Sequence, residues 1–202
     1  MDAQVGDARA VILVEGVSDQ RALEALAARR GRDLAGEDVA VVPIGGSKNI
    51  ARAVERFGPA GLGLRLAGLC DAGEERDYRR GLERAGLGHD LTRDRLESLG
   101  FFVCVLDLED ELIRALGAEA VGSVIEAQGE LDAFRTFLRQ PQWRDRPRPE
   151  QLRRFLGTFS GRKIRSATAL VDALPLEAVP RPLDAVLEAV RDDGVTGSAD
   201  QR

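Results

Sequence analysis

Ala10-Val11-Ile12-Leu13-Val14 is an unbroken apolar run closed by Glu15-Gly16, the pattern of a strand buried on both faces of a parallel sheet. Ser18 is then placed to cap a helix reaching about Arg30, with Ala22, Leu23, Leu26 and Ala27 on one face. The cycle recurs with a strand over 39–44, the loop Gly45-Gly46-Ser47 and a helix over 49–57. A strand over 64–70, an acidic turn from Asp71 to Glu75 and a helix over 77–85 follow. A short helix over 93–99, a strand over 101–106 and a helix over 109–116 complete the series. Four strands joined by helices predict an α/β fold with a four-stranded parallel sheet and right-handed crossovers.

After Gly117 the alternation stops, and helical periodicity covers 118–128, 130–139, 150–156, 164–174 and 183–191. Pro141, Pro147 and Pro149 are expected to break this region into a loop around Trp143. The expected organisation is an N-terminal segment 1–9, an α/β domain 10–116, a helical extension 117–191 and a disordered polar tail 192–202.

Composition narrows the chemistry. A content of 44% hydrophobic and 31% charged residues in 202 is that of a globular chain with a core. No apolar stretch approaches the roughly 18 residues needed to cross a bilayer, so no membrane association is expected. The acidic start, Met1 to Asp7, lacks the basic and apolar regions of a signal peptide, so the cytoplasm is the expected location. Cys70 and Cys104 lack metal-ligand spacing and read as reduced core residues. The single histidine, His89, lies in a glycine-rich turn, leaving little for a Ser-His-Asp triad or a zinc site. Chemistry must therefore rest on carboxylates.

Those carboxylates gather where a parallel sheet places function, at the carboxyl ends of its strands. The first strand-to-helix turn offers Glu15 and Asp19, the third Asp71, Glu74 and Glu75, and the fourth Asp107, Glu109, Asp110 and Glu111. One acid there would favour a helix N-terminus by about 0.3–1 kcal/mol. Three clusters on one edge repel one another unless a cation lies between them. An all-oxygen set suits Mg²⁺ or Mn²⁺, and two such ions would bracket a phosphodiester in an in-line displacement.

The net charge of -5 speaks against a nucleic-acid partner, but its distribution does not. Residues 135–165 carry ten basic side chains against two acidic ones, while residues 1–134 are net acidic. The basic segment reads either as a surface that follows a nucleic-acid backbone or as a solvated helical face offsetting its neighbour's charge. Phe137, Phe155 and Phe159 within it, and Phe134 just before it, read as the apolar faces of small helices, with Trp143 the exception suited to base stacking. Only Lys48 and Lys163 among the 29 basic residues are lysines, which singles them out as places for a compact ammonium. Gly161-Arg162-Lys163 reads as a loop entering a helix, suited to an oxyanion.

The stretch from Val11 to Asp19, then Gly45-Gly46, then Gly68-Leu69-Cys70-Asp71, resembles the TOPRIM domain over residues 10–116. With Asp107-Leu108-Glu109 and Gly161-Arg162-Lys163, the chain most resembles the C-terminal domain of OLD-family (overcoming lysogenization defect) nucleases, to about residue 174. The resemblance implies a Mg²⁺- or Mn²⁺-dependent endonuclease acting on DNA rather than RNA. Glu15 and Asp19 would be the first metal-binding acids and Asp71 the first aspartate of the DxD motif. Asp107 and Glu109 match the acids after the fourth strand, Glu75 is a further metal candidate, and Lys163 would steady the scissile phosphate. Gly45 and Gly46 correspond to the glycine turn, with Lys48 an auxiliary phosphate contact and Arg144, Arg146, Arg148, Arg162 and Arg165 as nucleic-acid contacts.

Two departures accompany this. The second DxD aspartate is Gly73, so Glu74 or Glu75 stands in for it or the second metal is weakened. OLD-type nucleases also carry an ATPase domain, whereas this chain shows no GxxxxGKS/T loop, so a separate ATPase subunit is the expected partner if one is required. A small RNA-processing TOPRIM nuclease and a non-catalytic TOPRIM binding module are the alternatives.

Overall fold

A computed structural model describes residues 5–192. Its sheet has strands β1 (Ala10–Val14), β2 (Val39–Pro43), β3 (Arg65–Cys70) and β4 (Phe101–Val103), all parallel, in the order β2-β1-β3-β4. Side chains alternate across a strand. Ala10, Ile12 and Val14 of β1 therefore enter one core, and Val11 and Leu13 the other. Both faces are covered, which is why β1 reads as continuously apolar. Gly68 of β3 lies opposite Phe101 of β4, and a Cβ there would stand 2.5 Å from the Phe101 ring, so the glycine makes room for that ring.

One face is covered by α2 (Ile50–Phe57), α3 (Glu75–Arg84) and α4 (Arg93–Ser98). The other carries α1 (Val17–Arg29), α5 (Leu108–Leu116), α6 (Ala118–Ala127), α7 (Leu131–Leu138), the short α8 (Pro141–Arg144), α9 (Arg148–Leu156), α10 (Ser160–Ala173) and α11 (Arg181–Glu188). Helices from beyond Gly117 thus share one hydrophobic core with the sheet. Helix α10 lies along α1, which brings the basic segment to the carboxyl edge of the strands. Among the described residues no helix is long and apolar enough to cross a membrane.

Four local expectations are corrected. Helix α1 is capped by Gly16, not Ser18, and the Gly16 N–H donates to Asp19 Oδ2 at 2.9 Å. Strand β4 stops at Val103 rather than residue 106: the Val105 N–H turns to Glu111 Oε1 at 2.7 Å, leaving Val105 and Leu106 exposed. The proline-rich stretch is no open loop, since Pro141 and Pro149 lie in the first turns of α8 and α9, where a missing N–H is tolerated. Lys163 lies within the first turn of α10 rather than in a loop before it. The expected tail lies outside the described residues from 193 onward. Cys70 and Cys104 are buried free thiols, as expected.

Candidate functional site

Glu15 follows β1 directly. Its backbone carbonyl accepts N–H groups from Gly45 at 3.0 Å and Gly46 at 3.3 Å. Those glycines have φ of 73° and 106°, a region that side-chain-bearing residues rarely enter, so the sequence Gly-Gly is what lets the turn after β2 clasp the end of β1. Asp19 stands one helical turn on, buried at 8% exposure. Asp71 follows β3, and the next residue's N–H donates to Leu106 O at 3.0 Å, which ties the Asp71 turn to the segment leading into Asp107. Asp107 caps α5, its Oδ1 accepting the Asp110 N–H at 2.8 Å. Lys163 reaches across from α10, its Nζ 3.4 Å from Glu109 Oε2.

These groups sense one another. Burial raises the Glu15 carboxyl above its ordinary range, with Glu74 and Asp19 adding to the effect and Lys163 opposing it. Asp19 is raised by burial against the pull of Lys163 and the Gly16 N–H. Asp71 is pushed up to about 8, first by burial and then by Asp19 and Asp107. Glu109 rises to about 7, chiefly by burial, with Lys163 opposing. Burial works against the Lys163 charge, but Glu109, Asp19 and Asp71 outweigh it and hold the ammonium above its ordinary value. Ionised together, these buried acids would carry more negative charge than Lys163 offsets, so Asp71 and Glu109 keep their protons well above the usual carboxylate range.

The partners differ in a way that matters. Among the described residues, the Glu15 and Asp71 carboxylates take no hydrogen bond or ion pair, and Glu109 Oε1 is buried without a partner. Such groups are expensive to leave uncompensated. Asp107, by contrast, is engaged at both oxygens: Oδ2 lies 2.6 Å from Arg153 Nε and 2.5 Å from Nη2. The donor chemistry fits a hard divalent cation. Among the described residues, though, no three acid, histidine or cysteine side chains stand as a closed ligand set.

Several expected residues are not part of this cluster. Glu75 is clamped by Arg79 and Arg93, and these hydrogen bonds, Arg93's foremost, hold its carboxyl below the usual range. The acid that reaches Glu15 electrostatically is its neighbour Glu74. Gly73 is exposed, and a Cβ there would meet open space, so nothing steric accounts for the glycine. Lys48 is solvent-exposed on a 3-10 turn. Arg162 and Arg165 are both paired with Glu130, and Arg148 covers the Phe134 ring with its guanidinium 4.4 Å from the centre. Arg144 and Arg146 are exposed, with only distant acids at 4.0 and 3.9 Å. Phe134, Phe137 and Phe155 are core residues, but Phe159 is 64% exposed and does not pack as expected. Arg153 escaped notice because its partner lies 46 residues away, and no local spacing marks such a pair.

A parallel sheet ordered β2-β1-β3-β4, with acids after β1 and β3 and a glycine turn after β2, is the α/β arrangement expected of a TOPRIM fold. Residues 8–72 match the family "Overcoming lysogenization defect protein-like, TOPRIM domain". The fold is similar to the C-terminal region of the Xanthomonas campestris pv. campestris OLD protein, with a TM-score of 0.71 and 26% identity, covering 92% of this chain and 93% of that one. The C-terminal region of the Burkholderia pseudomallei OLD protein has the same fold, with a TM-score of 0.71 and 24% identity, covering 92% and 98% of the two chains. No curated protein matches the sequence significantly. The chain thus has the fold of OLD-protein C-terminal regions along most of its length, and its residues 8–72 match the OLD-like TOPRIM domain.

Proposed function

We propose that this protein is a divalent-metal-dependent nuclease that cleaves phosphodiester bonds in DNA, with residues 10–116 supplying the acids and residues 117–191 the basic wall. The observation that carries this is the joint placement of Glu15, Asp19 and Asp71, under-compensated in charge, opposite Lys163. Glu15, Asp19 and Asp71 would hold Mg²⁺ or Mn²⁺, with Glu74 in place of the absent DxD aspartate. An ion bound there supplies Lewis acidity toward a phosphodiester oxygen. Lys163 presents a fixed positive charge to the phosphate as negative charge grows in the transition state. Glu109 orients that ammonium, and the Glu15 carbonyl held by the glycine turn keeps the acid edge in place. DNA is the substrate class because of the likeness to OLD C-terminal regions.

The test is cleavage of supercoiled plasmid with Mg²⁺ or Mn²⁺ by wild type, Glu15→Ala and Lys163→Ala, each shown to be folded by circular dichroism. Wild type is expected to nick or linearise the plasmid, and each substitution to lower the rate by about 10²–10³-fold, the usual cost of removing one charge-stabilising group. Equal rates in all three would refute the assignment. Binding without cleavage by wild type would favour a non-catalytic module, the reading that Gly73 supports. Cleavage of structured RNA but not plasmid would move the substrate to RNA.

A further inference from the structure

A groove of about 520 Å³ is lined at once by Asp107, Glu109 and Lys163 of the site and by Trp143, Arg153 and Arg154 of the basic segment. Its size is that of an ordinary ligand cleft, roughly 300–1,000 Å³. The Trp143 ring stacks on Phe137, centroids 5.4 Å apart and planes at 26°, so core packing supports the indole from behind. Its backbone is fixed as well: the Gln151 side-chain amide, only 6% exposed, donates to Trp143 O at 2.8 Å and Arg144 O at 3.2 Å. That buried amide holds the short α8 to α9. The Arg154 guanidinium sits 5.9 Å from the ring centre, at the outer limit of a cation–π contact.

We propose that Trp143 is a stacking platform for one unpaired nucleobase, and that a DNA strand therefore reaches the acids in single-stranded form along this groove. The proposal rests on the nuclease reading for its substrate class. An aromatic ring whose back is packed, in a groove where Arg153 and Arg154 stand beside it with Glu150, fits a base with the arginines toward its adjoining phosphates. A base inside a duplex already has both faces covered and offers no free surface to the indole, so only an unpaired or extruded base can use the platform. Arg153 and Arg154 then face the backbone, and Arg153 exchanges part of its contact with Asp107 for phosphate.

Trp143 is the chain's only tryptophan, so its fluorescence reports on this site alone. The experiment titrates the full chain in EDTA, where no cleavage occurs, with a short oligothymidylate, an abasic oligomer of equal length and a blunt duplex. Affinity is measured separately by calorimetry. Oligothymidylate is expected to quench the emission, and the abasic oligomer to bind without quenching, about 5- to 150-fold more weakly, the worth of one stacked base. Trp143→Ala should lose a similar factor, while the folded Trp143→Phe should keep most of the affinity. Binding of oligothymidylate without quenching, equal affinity of Trp143→Ala and wild type, preference for the duplex, or no binding at all would each overturn the proposal. Plasmid cleavage that depends on Glu15 together with a silent Trp143 would overturn this inference alone. Quenching without any cleavage would overturn the nuclease reading alone.

Discussion

Asp71 is the residue whose environment departs furthest from what its position in the sequence suggests. A carboxyl moved from 3.8 to about 8 binds a proton in the folded state that the unfolded state has already released. Folding is therefore favoured by low pH through this group, and the benefit is lost as pH rises from about 4 to about 8. Without metal, the thermal midpoint of wild type should fall between about pH 5 and pH 8, and fall less steeply in Asp71→Asn. Added Mn²⁺ should restore the wild-type midpoint near pH 8, where it replaces the proton as countercharge. Equal pH slopes in the two proteins would contradict the burial and repulsion assigned to Asp71. Its identity as a strand-end acid was legible, because the apolar run before it and the turn after it fix its place. Its electrostatic state was not, since that depends first on how deeply the turn is buried and then on Asp19 and Asp107 meeting it across the sheet edge.

At the scale of elements, periodicity located nearly every helix and strand but misjudged where some of them end. Residues 101–106 are apolar nearly throughout, yet the sheet keeps only Phe101 to Val103, because Glu111 draws off the Val105 N–H. Helix α10 extends back to Ser160 across a basic first turn that the macrodipole disfavours. Glu109 and Glu130, both on other elements, offset that charge by pairing with Lys163, Arg162 and Arg165. The same limit separates two phenylalanines that look alike in sequence. Phe134 is 1% exposed and packs on Phe155 at 4.8 Å between centroids, whereas Phe159 is 64% exposed. Phe134→Ala should cost about 3–5 kcal/mol in urea unfolding, and Phe159→Ser less than about 0.5 kcal/mol. Comparable losses at both positions would contradict the packing of the helical half.

For the molecule as a whole, the opposition of an acidic body and a basic segment was visible along the chain, and the fold turns it into a face-to-face arrangement. Arg153 with Asp107 and Lys163 with Glu109 join residues far apart in sequence at one edge. Sequence alone singled out Lys163, by its rarity and helix-entry position as well as by resemblance, and left Arg153 among ten basic residues, because which of them face the acids is decided by how α9 and α10 pack. The central claim is that this edge is a divalent-cation site built on Glu15, Asp19 and Asp71. Calorimetric titration of metal-free protein with Mn²⁺, wild type against Glu15→Gln and Asp71→Asn, tests it most directly. Saturable binding by wild type that both substitutions weaken or abolish is the predicted result. Unchanged affinity and stoichiometry in both variants, or no saturable binding by wild type, would contradict it.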